Sequence, residues 1–469
     1  MAGRHILLPT TVTRQIVLRQ MSPVSIFHRG RRPFLEEIPA LTSSIGRALF
    51  LAGIFLMLTG DWPRSTLLAN RWVVPLHSLA WPWLYLTLLA ASVVVLVSSG
   101  VLRVARPTAA DFLHTPIALL TAAFLLSVAF SQAPPLSEWA FGCVLAVVGF
   151  SLAVAGIVED ETCLAGISIA IAAAALLLAV RVILWRVDEG LTSPAYHVRS
   201  NAWLGKIQIS WVLNLLAPLV LARCLGARAR VTAVLYGVTW VLSGAAIYML
   251  FSRTGVVTFP LTTLSLCALN ARYWRRWLPL LAGIMGLAVA LIAVSPTMAK
   301  SVVDVLRRPQ LAPGVDDRQS ALRQSIRMIV DHPVIGIGFG TYDDIAHSRY
   351  GPIADSTFFR NGWHAHNTAL HLLAETGALG FLAWCYLWFT IVRFLLRRWR
   401  EEDAQGRLNS SAVLCVLLGF VVLSMTEAVT AARLHASLRM NLTLALLVMY
   451  GIRLAARTRS APTADSAAR

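Results

Sequence analysis

His366-Asn367, nine further residues and then Gly377-Ala378-Leu379-Gly380 place an imidazole where the longest polar stretch of the chain gives way to a hydrophobic run. A neutral imidazole takes a proton from a hydroxyl near pH 7, which is general-base chemistry. On a helix running from His366, Gly377 and Gly380 fall within about 40° of it. The histidine then shares a stripe with two small residues that admit a close neighbouring helix. Asn367, Gly377 and Gly380 are accordingly supporting residues for a candidate base. A metal site is the sharper alternative, given His364, His366, His371 and Glu375. Helical geometry argues against it: positions 364 and 366 point to different sides, 371 lies about 140° from 366, and 375 is nearly opposite. The expectation is a site without a metal.

Several cations have the chemistry to face that base. Arg253 sits in Ser252-Arg253-Thr254-Gly255, a minimal turn between two apolar runs. The plain reading of such an arginine is snorkelling to a membrane interface. Its short, tightly held turn favours a functional role, and a planar guanidinium grips phosphate oxygens in pairs. Arg318 opens an amphipathic segment, 318–330, that Pro333 must end at or before His332. Asp317 is its candidate N-cap. Leu322, Ser325 and Ile329 lie within about 40° of Arg318, and Arg323 and Arg327 about 140–180° away. Arg318 is therefore assigned to the packed face and the other two to solvent. Together Arg253 and Arg318 suit a pyrophosphate. Arg199 and Lys206 are further candidates, and spacing does not choose between them. Arg433 and Arg439 have weaker claims, and Asp304, Asp343 and Glu427 show no partner in the sequence. Gly336-Ile337-Gly338-Phe339-Gly340 lacks the Lys-Ser/Thr of a phosphate loop and reads as a tight turn after Pro333.

The elements that must position these groups are membrane helices. The chain has 469 residues, is 57% hydrophobic and only 14% charged, and its mean hydropathy is +0.67. A soluble chain of this length needs far more charge on its surface. Apolar runs near 43–59, 75–99, 112–130, 137–158, 162–185, 208–222, 231–251, 255–270, 277–297, 366–396, 411–430 and 437–456 predict about twelve spans. The first is short, and the eighth is short and carries Pro260.

A net charge of +18 suggests nucleic acid until its placement is read. Arginine clusters at 14–32, 103–106, 223–230, 272–276, 393–400 and 453–459 all fall on one side of a twelve-span arrangement. That is the positive-inside pattern, which makes those loops and both termini cytoplasmic and leaves no nucleic-acid surface. The acidic run Glu159-Asp160-Glu161 on the same side has little weight in that rule. Residues 298–365 then form one large external loop between helices 9 and 10. Residues 1–42 form a basic cytoplasmic extension, 43–456 the membrane domain and 457–469 a polar tail. The six cysteines lie in or beside the spans and imply no disulfide framework.

The order Ser252-Arg253-Thr254-Gly255, then Arg318 with Asp331-His332-Pro333-Val334-Ile335-Gly336-Ile337-Gly338, then His366-Asn367-x9-Gly377-x-x-Gly380 resembles the bacterial O-antigen ligase and Wzy-type polymerase family. The resemblance is specific over roughly 200–390 and leaves the N-terminal extension aside. It implies an all-α, GT-C-like polytopic glycosyltransferase, independent of metal and cofactor, working on the periplasmic face of a bacterial inner membrane. The donor it implies is a glycan on undecaprenyl pyrophosphate, and the acceptor is lipid A-core or a growing glycan. By resemblance, Arg253 and Arg318 grip the pyrophosphate, with Arg199 or Lys206 as a third cation, and His366 activates the acceptor hydroxyl with inversion at the sugar.

Ligation to lipid A-core is the leading reading. The nearest rival is a Wzy-type polymerase of O-antigen or exopolysaccharide, which uses the same donor and groups. A lipid-linked glycan transporter is the rival from another class, but it has no need of a base and calls for charge inside the spans, where little beyond Arg181 is found. Glycan-transfer assays provide a first test. Arg318→Lys loses most activity, because one ammonium cannot replace a two-pronged grip, and Arg323→Ala is nearly silent. Equal loss in both would refute the assignment of Arg318 to the packed face.

Overall fold

The computed structural model describes residues 33–59, 81–100, 108–189, 203–250, 252–294, 315–350, 364–428 and 435–456. Arg199, Asp304, Arg433, residues 1–32 of the N-terminal extension and the tail from 457 lie outside the described residues, as do the side chains of Lys206, Arg253 and Asp317. Among the described residues the chain is helical and contains no strand. The helices are α1 (Pro33–Thr59), α2 (Trp81–Ser98), α3 (His114–Ala129), α4 (Pro134–Ile157), α5 (Glu161–Glu189), α6 (Trp203–Gly226) and α7 (Arg230–Met249). They continue as α8 (Arg253–Leu269), α9 (Trp274–Val294), α10 (Val315–Asp331), α11 (Tyr342–Arg349), α12 (Thr368–Glu401), α13 (Ala404–Ser424) and α14 (His435–Ala456).

Each of the twelve expected spans overlaps one of these helices, with 75–80, 251, 295–297 and 429–430 outside the described residues. Nine among the described residues are long and apolar enough to cross a membrane, or ten with α8 and α9 taken together. That pair bends by 98° at Asn270, whose side-chain amide donates to Leu266 O at 2.9 Å and to Ser411 Oγ at 2.7 Å. The corner is thus pinned to α13, and the short eighth span and its successor form a bent unit. The chain is a polytopic all-α membrane protein.

Burial separates the centre from the rim. Of the residues in the apolar stretch of α6, 89% are buried, against 17% in that of α12, so α6 lies at the centre of the bundle and α12 nearer its rim. Serines and threonines inside the bundle return their hydroxyls to the preceding helical turn, as Thr258 does to Thr254 O at 2.7 Å and Ser243 to Thr239 O at 2.8 Å. Such back-bonding keeps polar groups satisfied where water is excluded. At the end remote from His366, Arg47 pairs with Asp160 at 2.7 Å and Arg453 with Glu159 at 3.1 Å. The acidic loop is therefore counter-charge for Arg47 and for Arg453 of the last arginine cluster.

Three boundaries differ from the sequence reading. Helix α1 begins at Pro33, ten residues earlier than the hydropathy limit at 43, because a membrane helix can extend into the polar phase. Helix α13 spans 404–424, and not 411–430, because Asp403 caps it by accepting from Gly406 N at 2.8 Å. Helix α12 starts at Thr368, because Asn367 is its N-cap and accepts from Leu370 N at 3.0 Å. His366 therefore precedes the helix, and the helical wheel drawn from it does not apply.

The glycine motif also does something other than admit a neighbouring helix. Gly377 is non-helical, with φ 60° and ψ −167°, and breaks α12 in two. A break frees backbone groups that need new partners. The chain from Pro333 to Gly338 supplies them: Ala378 and Leu379 N–H donate to Pro333 O (2.9 Å) and Val334 O (3.2 Å), while Ile337 and Gly338 N–H donate to Ala374 O and Glu375 O, both 3.0 Å. Ser127 Oγ adds a bond to Glu375 O at 2.8 Å. The two backbones touch through glycine on both sides. A Cβ on Gly336 would lie 2.3 Å from the Glu375 carbonyl carbon, and one on Gly377 would lie 2.3 Å from that of Val334. The glycine-rich turn after Pro333 is confirmed as a turn, and its purpose is this docking. Gly380 lies one turn beyond the break and faces Thr376.

The docked segment holds the rest of its region in place. Gln132 N–H donates to Ile337 O at 3.0 Å, and α10 and α11 both pack on α12. Gly377→Ala is expected to lower the detergent melting temperature clearly, since it combines positive-φ strain of about 1–3 kcal/mol with a backbone clash. Gly283→Ala in α9, where a methyl meets nothing within 4 Å, is the control and stays near wild type.

Candidate functional site

Glu427 lies three residues past the end of α13, in the loop that leads toward α14. Its Oε2 accepts a hydrogen bond from His364 Nε2 at 2.8 Å, and His366 Nδ1 lies 3.3 Å from the same oxygen. Its other oxygen, Oε1, is 3.6 Å from Arg318 Nη2. One buried carboxylate thus joins the candidate base, a second histidine and the candidate anion-binding arginine. Thr368, the first residue of α12, fixes the carboxylate's backbone by donating to Glu427 O at 2.9 Å.

The local chain is built for this convergence. His366 adopts φ +49°, the only positive φ among the described non-glycine residues. That left-handed conformation turns the chain sharply ahead of the Asn367 cap and brings the His364 and His366 rings to 4.1 Å between centroids. Histidine tolerates this region better than β-branched residues do, and such strain clusters at functional sites. The helical argument that separated His364 from His366 fails because neither residue is in the helix. One ligand atom each from His364, His366 and Glu427 lies within 4.8 Å of the other two, close enough to hold a metal ion. His371 goes elsewhere. It pairs with Glu375 at 3.3 Å and stacks on Tyr342, and Glu375 accepts from Tyr342 N at the start of α11 at 3.0 Å. That second histidine–carboxylate pair secures α11 against α12.

Electrostatics set the protonation states. Burial pushes the His366 pKa below its ordinary value, and His364 and Arg318 push the same way; Glu427 opposes them without prevailing. The imidazole is therefore neutral near pH 7. Burial alone would raise Glu427, but hydrogen bonds from His364 and His366 outweigh it and hold the carboxyl well below the usual range. An ionised carboxylate accepts, and His366 Nδ1 lies 3.3 Å from it, so the ring is assigned the tautomer with its proton on Nδ1 and its lone pair on Nε2. This matches the requirement for a general base oriented by an acid.

The other expected cations are placed unevenly. Arg318 flanks the buried side of α10 and is half-exposed (47%), free to reach a ligand. The buried side is Ala321, Gln324, Ser325 and Met328; Leu322 is 41% exposed, so the packed face is rotated from the one the sequence suggested. Arg323 and Arg327 are exposed, as expected. Arg253 is the first residue of α8, capped by Ser252. Its neighbour Thr254 is hydrogen-bonded to Thr426 at 2.9 Å, which sets the start of α8 beside Glu427. Gly255 in turn touches Ser210 of α6, and Lys206 lies one helical turn before Ser210. The backbone therefore brings the Arg253 and Lys206 positions to the same end of the bundle as His366. Arg439 is buried in α14.

Glu427 is the residue that sequence reasoning missed. Placing a span over 411–430 made it an isolated acid in lipid, and an ionisable residue in such a run was itself the signal.

An apolar cavity of about 160 Å³ is lined by α3, α4, α12, α13 and α14. Phe339 of the docked turn and Leu372 of α12 line it, and Leu372 is less than two helical turns beyond His366.

Residues 238–385 match the family model described as O-antigen ligase. The matched stretch contains Arg253, Arg318, His366, Asn367, Gly377 and Gly380; Lys206 precedes it and Glu427 follows it. Among curated proteins, none matches the chain. The match supports a function of the O-antigen ligase or polymerase type for a membrane protein.

Glu427→Gln is expected to cost activity on the order of 10²-fold and to move the acid limb of the pH–rate profile to lower pH, because Glu427 raises the His366 pKa. Removing Arg318 moves that limb the opposite way, since its charge lowers the same pKa. An unmoved limb in both variants rules out His366 as the titrating base.

Proposed function

We propose that this chain transfers a glycan from undecaprenyl pyrophosphate to an acceptor hydroxyl on the periplasmic face of a bacterial inner membrane, and that the acceptor is lipid A-core. The observation that carries this reading is the convergence of Arg318 and His366 on the Glu427 carboxylate, next to a groove of apolar side chains. A pyrophosphate-linked lipid needs both parts: cations for its head and a water-free channel for its isoprenoid chain.

The chemistry follows from the geometry. Arg253 and Arg318 hold the pyrophosphate, with Lys206 or Arg199 as a further cation. His366 Nε2 takes the proton of the acceptor hydroxyl, and the acceptor oxygen forms a bond to the sugar C1. The C1–O bond to phosphate breaks on the opposite face, so the anomeric centre inverts. Negative charge that builds on the departing undecaprenyl pyrophosphate is met by fixed guanidinium groups, where water is scarce and such interactions are strongest. The imidazolium formed is stabilised by Glu427. Asn367 sets the start of α12 so that His366 projects from it, and Gly377 and Gly380 belong to the break that anchors the loop. No step requires a metal or a cofactor.

Purified protein in liposomes, given lipid-pyrophosphate glycan and acceptor, tests the proposal. Transfer is expected to survive EDTA and to fall on the order of 10²–10⁴-fold in His366→Ala. Undiminished transfer in that variant sinks the mechanism. In cells, a deletion that leaves long lipid-linked polymer but no capped lipopolysaccharide identifies a ligase, whereas accumulation of single repeat units identifies a polymerase.

A further inference from the structure

We propose that His364, His366 and Glu427 form a binding site for a divalent zinc-type ion, and that the bound ion switches the base off. The inference rests on the transfer reading only for what is blocked; the site itself stands on geometry. Two imidazole nitrogens and a carboxylate oxygen are a ligand set that zinc favours, with a fourth position left to water. Neighbouring donors around a tetrahedral ion lie roughly 3.3 Å apart, since each bond is about 2.0–2.1 Å long. Here the His364–Glu427 and His366–Glu427 donor pairs are 2.8 and 3.3 Å apart, and one ligand atom from each of the three residues lies within 4.8 Å of the other two. Small ring rotations would close the set around an ion.

Tautomerism makes the two uses of His366 exclusive. As a base, the ring carries its proton on Nδ1, facing Glu427, and offers Nε2 to the acceptor. An ion on Nδ1 takes that lone pair, so the proton must sit on Nε2, which then cannot accept another. His364 undergoes the converse exchange, giving Nε2 to the ion and carrying its proton on Nδ1. In each ring the exchange moves one proton from one nitrogen to the other. Arg318, 3.6 Å from Glu427, opposes a second cation nearby. The ion is therefore held reversibly, as an inhibitor and not as a resident cofactor.

The test uses the full-length protein in detergent or nanodiscs, stripped with chelator and titrated with zinc chloride. One zinc per chain is expected, with affinity reduced at least about tenfold in His364→Gln and in Glu427→Gln. Cobalt(II) on the wild-type protein reports coordination without any variant: intense visible bands of a four-coordinate ion, abolished by zinc, are expected. No stoichiometric zinc, binding undiminished in both variants, or only the weak spectrum of six-coordinate cobalt overturns the site. Transfer assays separate this proposal from the one beneath it. Active chelated protein that zinc inhibits supports both. Active protein that neither binds zinc nor responds to it removes the metal site and keeps the base. Inactive chelated protein that zinc restores keeps the ligands but overturns both the inhibition and the metal-free base.

Discussion

The exchange of backbone hydrogen bonds at Gly377 is the contact on which the rest of the site depends. A helix broken at the edge of an apolar span exposes amides and carbonyls whose loss of partners costs a few kcal/mol each. The segment Pro333–Gly338 satisfies them, and only glycine at 336 and 377 lets the two backbones come close enough. The segment that docks is the direct continuation of α10, which carries Arg318, and the helix that receives it begins two residues after His366. One exchange thereby sets the distance between the candidate anion clamp and the candidate base, although they are 48 positions apart in sequence.

Glu427 organises the charge at the point that this docking creates. Burying an isolated carboxylate is prohibitive, and burying it with a guanidinium and two imidazole donors offsets the cost. The return is functional more than stabilising. The carboxylate faces Nδ1 of His366 and tethers Arg318 without enclosing it. Arg318 is half-exposed, so it can be shared with an incoming phosphate. The same three donors explain why a divalent ion and a general base would compete for one ring.

The groove and the polar site answer two different demands of a lipid-linked substrate. Aromatic and aliphatic side chains from α3, α4, α12 and α14 supply a surface for the lipid chain, while its reactive head must meet charges held outside the apolar layer. The His371–Glu375 pair, buried beneath α11, belongs to the scaffold that keeps these zones adjoining. Its carboxylate accepts from the first amide of α11, so its chemistry is spent on holding the docked region in place.

The amino-acid sequence by itself determined the class of the protein and the short list of reactive groups. Hydropathy depends on local composition, so every expected span overlaps a helix. His366, Arg253 and Arg318 stood out because their types and spacing are chemically distinctive. Tertiary structure alone decided what those groups face. A helical wheel assumes a continuous helix, and here Asn367 starts the helix after His366 and Gly377 interrupts it, so the predicted stripe of glycines became a docking site. Glu427 was hidden for the same reason: hydropathy averaged it into a span, whereas the Asp403 cap shifts α13 toward its start and leaves the acid in the loop. Caps and breaks turn on single hydrogen bonds and single backbone torsions, which periodicity cannot resolve. The partners of a buried carboxylate are fixed only once distant segments have packed.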